Sequence, residues 1–139
     1  MEKLDLKSYE GLGQAGALFS MFLPDIIEQY PDLRVLTADM SYIAKLERFK
    51  AFYPEQFINV GIAEQNLMGV AAGLGVSGKT VVASTFCMFA AGRAYEIVRN
   101  AIGYSGANVK VCAYHSGLSV GEDGATHQSI EDLGLMAMI

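Results

Sequence analysis

Phe57-Ile58-Asn59-Val60-Gly61-Ile62-Ala63-Glu64-Gln65-Asn66-Leu67-Met68-Gly69-Val70-Ala71-Ala72-Gly73-Leu74-Gly75-Val76, followed by Thr80-Val81-Val82-Ala83, reads as strand, helix, strand. The outer runs are short, apolar and rich in β-branched residues, and they do not alternate cleanly with polar ones. That pattern suits strands buried on both faces of a parallel sheet. Working outward, Arg34-Val35-Leu36-Thr37 and Val109-Lys110-Val111-Cys112-Ala113 repeat the strand signal. Helical segments lie between and around these runs. Gln14 to Tyr30 precedes the first strand, with Pro24 expected to kink or restart it. Ala44 to Tyr53 carries Leu46, Phe49 and Phe52 at helical spacing and stops at Pro54. Phe86 to Tyr104 follows the third strand, and a last helix is expected from about Ser129. The alternation defines an α/β class with a mostly parallel sheet flanked by helices.

The 139 residues fit one domain, and 52% apolar against 18% charged describes a chain able to bury a core. A net charge of −5 and the lack of a basic stripe argue against nucleic acid as partner. No apolar run approaches the length of a membrane span, and Met1 to Lys7 lacks the apolar stretch of a secretory signal. A cytoplasmic location follows as the expectation, with Cys87 and Cys112 as reduced core residues and no cysteine–histidine spacing for zinc. Leu135-Met136-Ala137-Met138-Ile139 is apolar to the last residue, so residues 1–139 are expected to be one domain incomplete at its C-terminal end.

Ligands of open α/β sheets bind outside the carboxyl ends of the strands, and the unusual residues fall there. The first strand runs into Asp39, the second into Gly61 and Glu64, the third into Thr85, Phe86 and Phe89. The fourth runs into Tyr114, His115 and a loop from Ser116 to Gln128 holding Gly121-Glu122-Asp123-Gly124 and His127. Taken singly, each has a plainer role. Asp39 could cap a helix, Glu64 suits a helix dipole, the phenylalanines could be core, and either histidine could be structural. Their convergence on one sheet edge is what marks a site. Gly69 and Gly73 add a stripe of small residues four apart, implying close packing inside the domain or at a subunit interface. Glycine in a helix costs roughly 1 kcal/mol against alanine, so something must compensate.

Gly61-Ile62-Ala63-Glu64-Gln65-Asn66 with the Gly/Ala helix resembles the pyrimidine-binding segment of transketolases and deoxyxylulose-phosphate synthases. Ala83-Ser84-Thr85-Phe86, Phe89 and Arg93-Ala94-Tyr95-Glu96 are similar to the family's next block. Val120-Gly121-Glu122-Asp123-Gly124-Ala125-Thr126-His127-Gln128-Ser129-Ile130-Glu131-Asp132 resembles the third and most specific. The likeness is greatest to the C-terminal subunit of split transketolases. It implies thiamine diphosphate as cofactor and transfer of a two-carbon ketol unit between sugars. Glu64 would hydrogen-bond the aminopyrimidine ring nitrogen, exchanging a proton with it so that the thiazolium carbon can be deprotonated. Phe86 and Phe89 would wall the pyrimidine, Asp39 would lie near the thiazolium, and His115, Asp123 and His127 would face the sugar, the histidines as proton carriers.

The family's Gly-Asp-Gly motif for magnesium and the diphosphate is missing here, so no metal ligand is expected in this chain. The resemblance places Mg2+ and the diphosphate on a partner half, in a homodimer or heterotetramer, and implies that the chain alone is inactive. Three departures stand out. The helix from Gln14 to Gln29 has no arginine, Ile43 stands where the family has a phosphate-facing serine, and Gly92 replaces a pocket tyrosine. The other readings are a non-catalytic assembly partner and a 2-oxoacid dehydrogenase beta subunit. The Glu122 to Glu131 segment with His115 favours transketolase.

Overall fold

The structure, a computed structural model, describes residues 15–139. The expected helix start at Gln14 and the stretch Met1 to Lys7 lie outside the described residues. Four strands form one sheet: β1 (Leu33–Thr37), β2 (Phe57–Asn59), β3 (Thr80–Phe86) and β4 (Val109–Tyr114). All pairings are parallel and the order is β2-β1-β3-β4. The helices are α1 (Ala15–Ile26), α2 (Glu47–Phe52), α3 (Glu64–Val76), α4 (residues 89–104) and α5 (Asp132–Ala137).

The strand order dictates the layers. The β1-to-β2 connection moves one way across the sheet, while β2-to-β3 and β3-to-β4 move the other way. Parallel crossovers are right-handed, so α2 must lie on one face and α3 and α4 on the opposite face. The cores agree. On one face Leu36, Val81 and Ala83 pack with Leu67, Met68 and Ala71 of α3 and with Ala90, Ala94 and Val98 of α4. On the other, Leu33, Val35 and Val82 pack with Leu23 of α1 and Phe49 of α2. Central strands β1 and β3 are almost wholly buried, which explains their unbroken apolar reading.

Element boundaries differ from expectation in four places. β3 extends through Phe86, where a helix was expected, because the ladder continues to the pair Phe86↔Tyr114. The segment after it is a helix of two wide turns, Phe89–Arg93 and Val98–Tyr104, separated by the short α-helical stretch Tyr95–Ile97. α2 begins at Glu47 and not Ala44, because Lys45 adopts a left-handed φ of 55°. α1 runs through Pro24, ends at Ile26 and tightens into a 3-10 turn, Ile27–Gln29. The last helix starts at Asp132, three residues later than expected.

The glycines of α3 divide into two kinds. A Cβ on Gly75 would meet Val109 Cγ2 at 3.0 Å, the Asn108 backbone nitrogen at 3.1 Å and Ala107 Cβ at 3.2 Å. This glycine is there for close packing on β4. A Cβ on Gly69 or Gly73 would meet nothing within 4 Å, so the small-residue stripe faces outward and is not packed inside the domain. Opposite effects are therefore expected in urea unfolding of the chain. Gly75→Ala should destabilise by about 1–3 kcal/mol through overpacking. Gly69→Ala and Gly73→Ala should each stabilise by roughly 0.5–1 kcal/mol through helix propensity. Destabilisation by either of the latter pair would show that their outer face is packed after all.

Candidate functional site

At the carboxyl end of β1 the chain turns sharply, and Asp39 takes a left-handed φ of 60°. The turn is pinned from two sides. Thr37 Oγ1 donates to the Ser84 carbonyl at 3.1 Å and accepts the Met40 amide at 3.2 Å. Asn59, the last residue of β2, accepts the amides of Asp39 (2.9 Å) and Gly61 (3.0 Å) through Oδ1. Its Nδ2 donates to Asp39 Oδ1 at 3.1 Å. One amide side chain thus fixes both the Asp39 turn and the left-handed turn at Gly61 (φ 76°) that leads to Glu64. The sequence reading gives Asn59 no role, although a polar residue ending a buried-strand pattern was the available signal.

Glu64 opens α3, and its carboxylate is buried. Arg93 Nη1 donates to its Oε2 at 3.2 Å, and the guanidinium lies 5.0 Å from the centre of the Phe89 ring. Phe86 and Phe89 meet edge to face, 5.9 Å between centres. His127 stands edge-on to both, at 5.2 and 5.1 Å, and His115 lies 5.1 Å from Phe86. His115, like Asp39, has a left-handed φ of 60°, a conformation that costs a non-glycine residue and recurs at functional sites. Its Nδ1 and Thr85 Oγ1 are buried without a hydrogen-bond partner among the described residues. Glu64 is joined through Arg93 to an aromatic group made of Phe86, Phe89, His115 and His127. Asp39 stands on the neighbouring strand end. Asp123 is exposed, immediately before the 3-10 turn Gly124–His127, and no hydrogen bond or ion pair joins it to these residues.

The loop after His115 is tied at its base. Gly117 and Ser129 form an antiparallel bridge. The buried Asp132 carboxylate accepts from Ser116 Oγ at 2.7 Å and from Cys87 Sγ at 3.1 Å. The Cys87 and Ser116 bonds hold the Asp132 carboxyl below its usual range, against the opposing effect of burial. Burial, with the bond to Asp132, pushes the Cys87 thiol from 9.0 to about 11, and burial alone takes Cys112 to about 11. Both cysteines are free, as expected. Among the described residues, no group of three or more His, Cys, Asp or Glu side chains is placed to hold a metal ion. No described helix is long and apolar enough to cross a membrane.

A parallel sheet whose strand ends gather a buried acid, an aromatic wall and two histidines defines an α/β ligand-binding domain. Comparison with known proteins gives the particular kind. Residues 14–139 match the family described as the pyrimidine-binding domain of transketolase, and the chain belongs to that family. A Methanocaldococcus jannaschii protein described as a transketolase C-terminal section is 50% identical over 117 residues, covering 84% of this chain and 37% of the relative. One of the subunits of an apulose-4-phosphate transketolase from Actinobacillus succinogenes is 42% identical over 105 residues, covering 76% of this chain and 34% of the relative. A 1-deoxy-D-xylulose-5-phosphate synthase from Trichormus variabilis is also similar, 35% identical over 122 residues, covering 88% of this chain and 19% of the relative. Among solved structures, a split-gene transketolase described as an inactive beta4 tetramer superposes with a TM-score of 0.73 at 52% identity, covering 85% of this chain and 37% of that one. The chain thus spans little more than a third of these split relatives. Thiamine-diphosphate-dependent ketol transfer is the function of the family.

The thiols set an alkaline limit. Unfolded cysteines ionise near 9.0, whereas both folded thiols hold their protons to about 11. The unfolded state therefore loses protons first, and stability falls as pH rises between those values. Urea midpoints are expected to be level through neutral pH and to decline above 9.0. The double variant Cys87→Ala/Cys112→Ala should lose much of that decline. An unchanged alkaline slope would mean the thiols are not shielded as described.

Proposed function

We propose that this chain supplies the aminopyrimidine half of a transketolase site, working with a partner half that carries the diphosphate and its magnesium. The observation that supports it most is the buried Glu64 carboxylate, hydrogen-bonded at one oxygen only among the described residues and beside the Phe86–Phe89 wall. The donor set fits the cofactor. A carboxyl group can share a proton with a ring nitrogen, and flat aromatic rings can pack against a flat heterocycle. Buried Thr85 Oγ1 and His115 Nδ1 are polar atoms at the same sheet edge with bonding capacity to spare.

When bound, thiamine diphosphate supplies a carbon nucleophile suited to moving a two-carbon ketol unit between sugars. The chain's own residues have narrower tasks. Glu64 holds and releases a proton at the pyrimidine, Phe86 and Phe89 exclude water, and Asp39 presents a fixed carboxylate near the thiazolium. His115 and His127 move protons at the sugar, and Asp123 binds its hydroxyls. The outward face of α3, with Gly69 and Gly73 open, is the surface offered to another subunit. The partner half is required because the family's Gly-Asp-Gly motif for magnesium and the diphosphate is missing from this sequence.

Two measurements test this reading. In the enzyme assembled with its partner half, Glu64→Ala should lower turnover by about a hundredfold or more while leaving thermal unfolding nearly unchanged. Wild-type turnover at saturating cofactor would sink the acid–base role and favour a non-catalytic assembly partner. Calorimetry of the isolated chain with thiamine diphosphate and magnesium should show binding weaker than about micromolar. Tighter binding would move the diphosphate site into this half.

A further inference from the structure

Arg93 touches both the acid and the aromatic wall, yet the proposed function gives it no task. It closes the wide turn Phe89–Arg93, in which the Ala94 amide reaches back to the Phe89 carbonyl at 3.0 Å. Such one-residue expansions of a helix are uncommon and recur at functional sites. From this turn the guanidinium lies over the Phe89 ring at 5.0 Å and reaches Glu64 Oε2 at 3.2 Å. The exposures are unequal, 54% for the Arg93 side chain and 5% for that of Glu64. The acid is the fixed, desolvated partner, and the cation reaches it from solvent. No other hydrogen bond to the Glu64 carboxylate is found among the described residues. A desolvated carboxylate needs a partner, and here only one of its oxygens has one.

We propose that Arg93 is a positioning residue for Glu64: it holds one carboxylate oxygen, leaves the other free for a pyrimidine ring nitrogen, and ties the acid to the Phe89 wall. This rests on the aminopyrimidine reading of the site. Arginine suits the task because its planar cation can stack on a ring face while donating from its edge. Lysine would keep the charge and lose the stacking.

The test is calorimetric, on the enzyme assembled with its partner half. Two compounds are compared: thiamine diphosphate with magnesium, and an analogue carrying CH in place of the ring nitrogen that Glu64 would meet. Wild type should prefer thiamine diphosphate. Arg93→Met, which keeps an unbranched apolar side chain over Phe89, should weaken thiamine diphosphate by about tenfold or more, the scale of one charge-assisted hydrogen bond. It should leave the analogue's affinity nearly unchanged. Arg93→Lys should restore most of the loss, and Arg93→Leu, with the same expectation as the methionine variant, carries the comparison if that variant does not fold. Wild-type affinity in Arg93→Met overturns the proposal. Equal weakening of both compounds also overturns it, reducing Arg93 to a packing residue of the pocket. Glu64→Gln separates the two levels of inference. If it does not alter the preference between the compounds, the carboxylate does not meet the ring, and the underlying reading falls together with the proposal. If Glu64→Gln abolishes the preference and Arg93→Met does not reduce it, only the role of Arg93 falls.

Discussion

The parallel pairing of β1 with β3 is the constraint on which the other features depend. Its register, Leu33↔Thr80 through Thr37↔Ser84, brings the two central strands out of the sheet together. Thr37 adds a side-chain bond to the Ser84 carbonyl, so the strand ends are tied where the chain leaves them. On one side, that fixes the Asp39 turn against Asn59 and, through Gly61, the start of α3. On the other, it fixes Phe86 and the entry to α4. Slipping the pair by one residue would exchange the faces of Val35 and Leu36, and the two cores could not both be filled.

Much of this was legible in the sequence because burial on both faces leaves a composition signal. The four strands and the α3 helix were found within a residue or three of where they lie, and the class of fold with them. The misplaced boundaries have different causes, one of them a partner distant in sequence. Phe86 belongs to β3 because Tyr114 pairs with it, and no local pattern around Phe86 carries that information. The Lys45 turn is set by its own left-handed backbone, which lysine does not advertise.

The site was legible to a different degree. Asp39, Glu64, Phe86, Phe89, His115 and His127 stood out as chemistry-bearing residues after strands, and the fold gathers four of them around one aromatic group. The Asp132–Cys87–Ser116 tie was not visible, because its value is geometric, and the polar end of β2 marks Asn59 without revealing its bonds. An asparagine that satisfies two amides looks like any other asparagine until the turns exist. Arg93 carries no local signal of its task, since its contact with Glu64 spans 29 positions and depends on a wide helical turn. The phosphate question raised by Ile43 belongs to the substrate, on which the relatives differ by name.

The strand order also has a consequence for how the chain comes into being. Synthesis proceeds from the N-terminus, and β1 emerges well before β3, whose first paired residue, Thr80, lies 47 positions after Leu33. Until then the only strand available to β1 among the described residues is β2, three residues long and partly exposed. The face of β1 that carries Leu36 must therefore wait, uncovered, through the translation of α3, while its Leu33 and Val35 face can already meet α1 and α2. Closing that distance is entropically costly before any contact rewards it. A nascent chain at that stage leaves open the edge of β1 that will pair with β3, and unpaired strand edges favour aggregation. The same central pairing that aligns the strand ends in the finished domain makes the nascent one vulnerable.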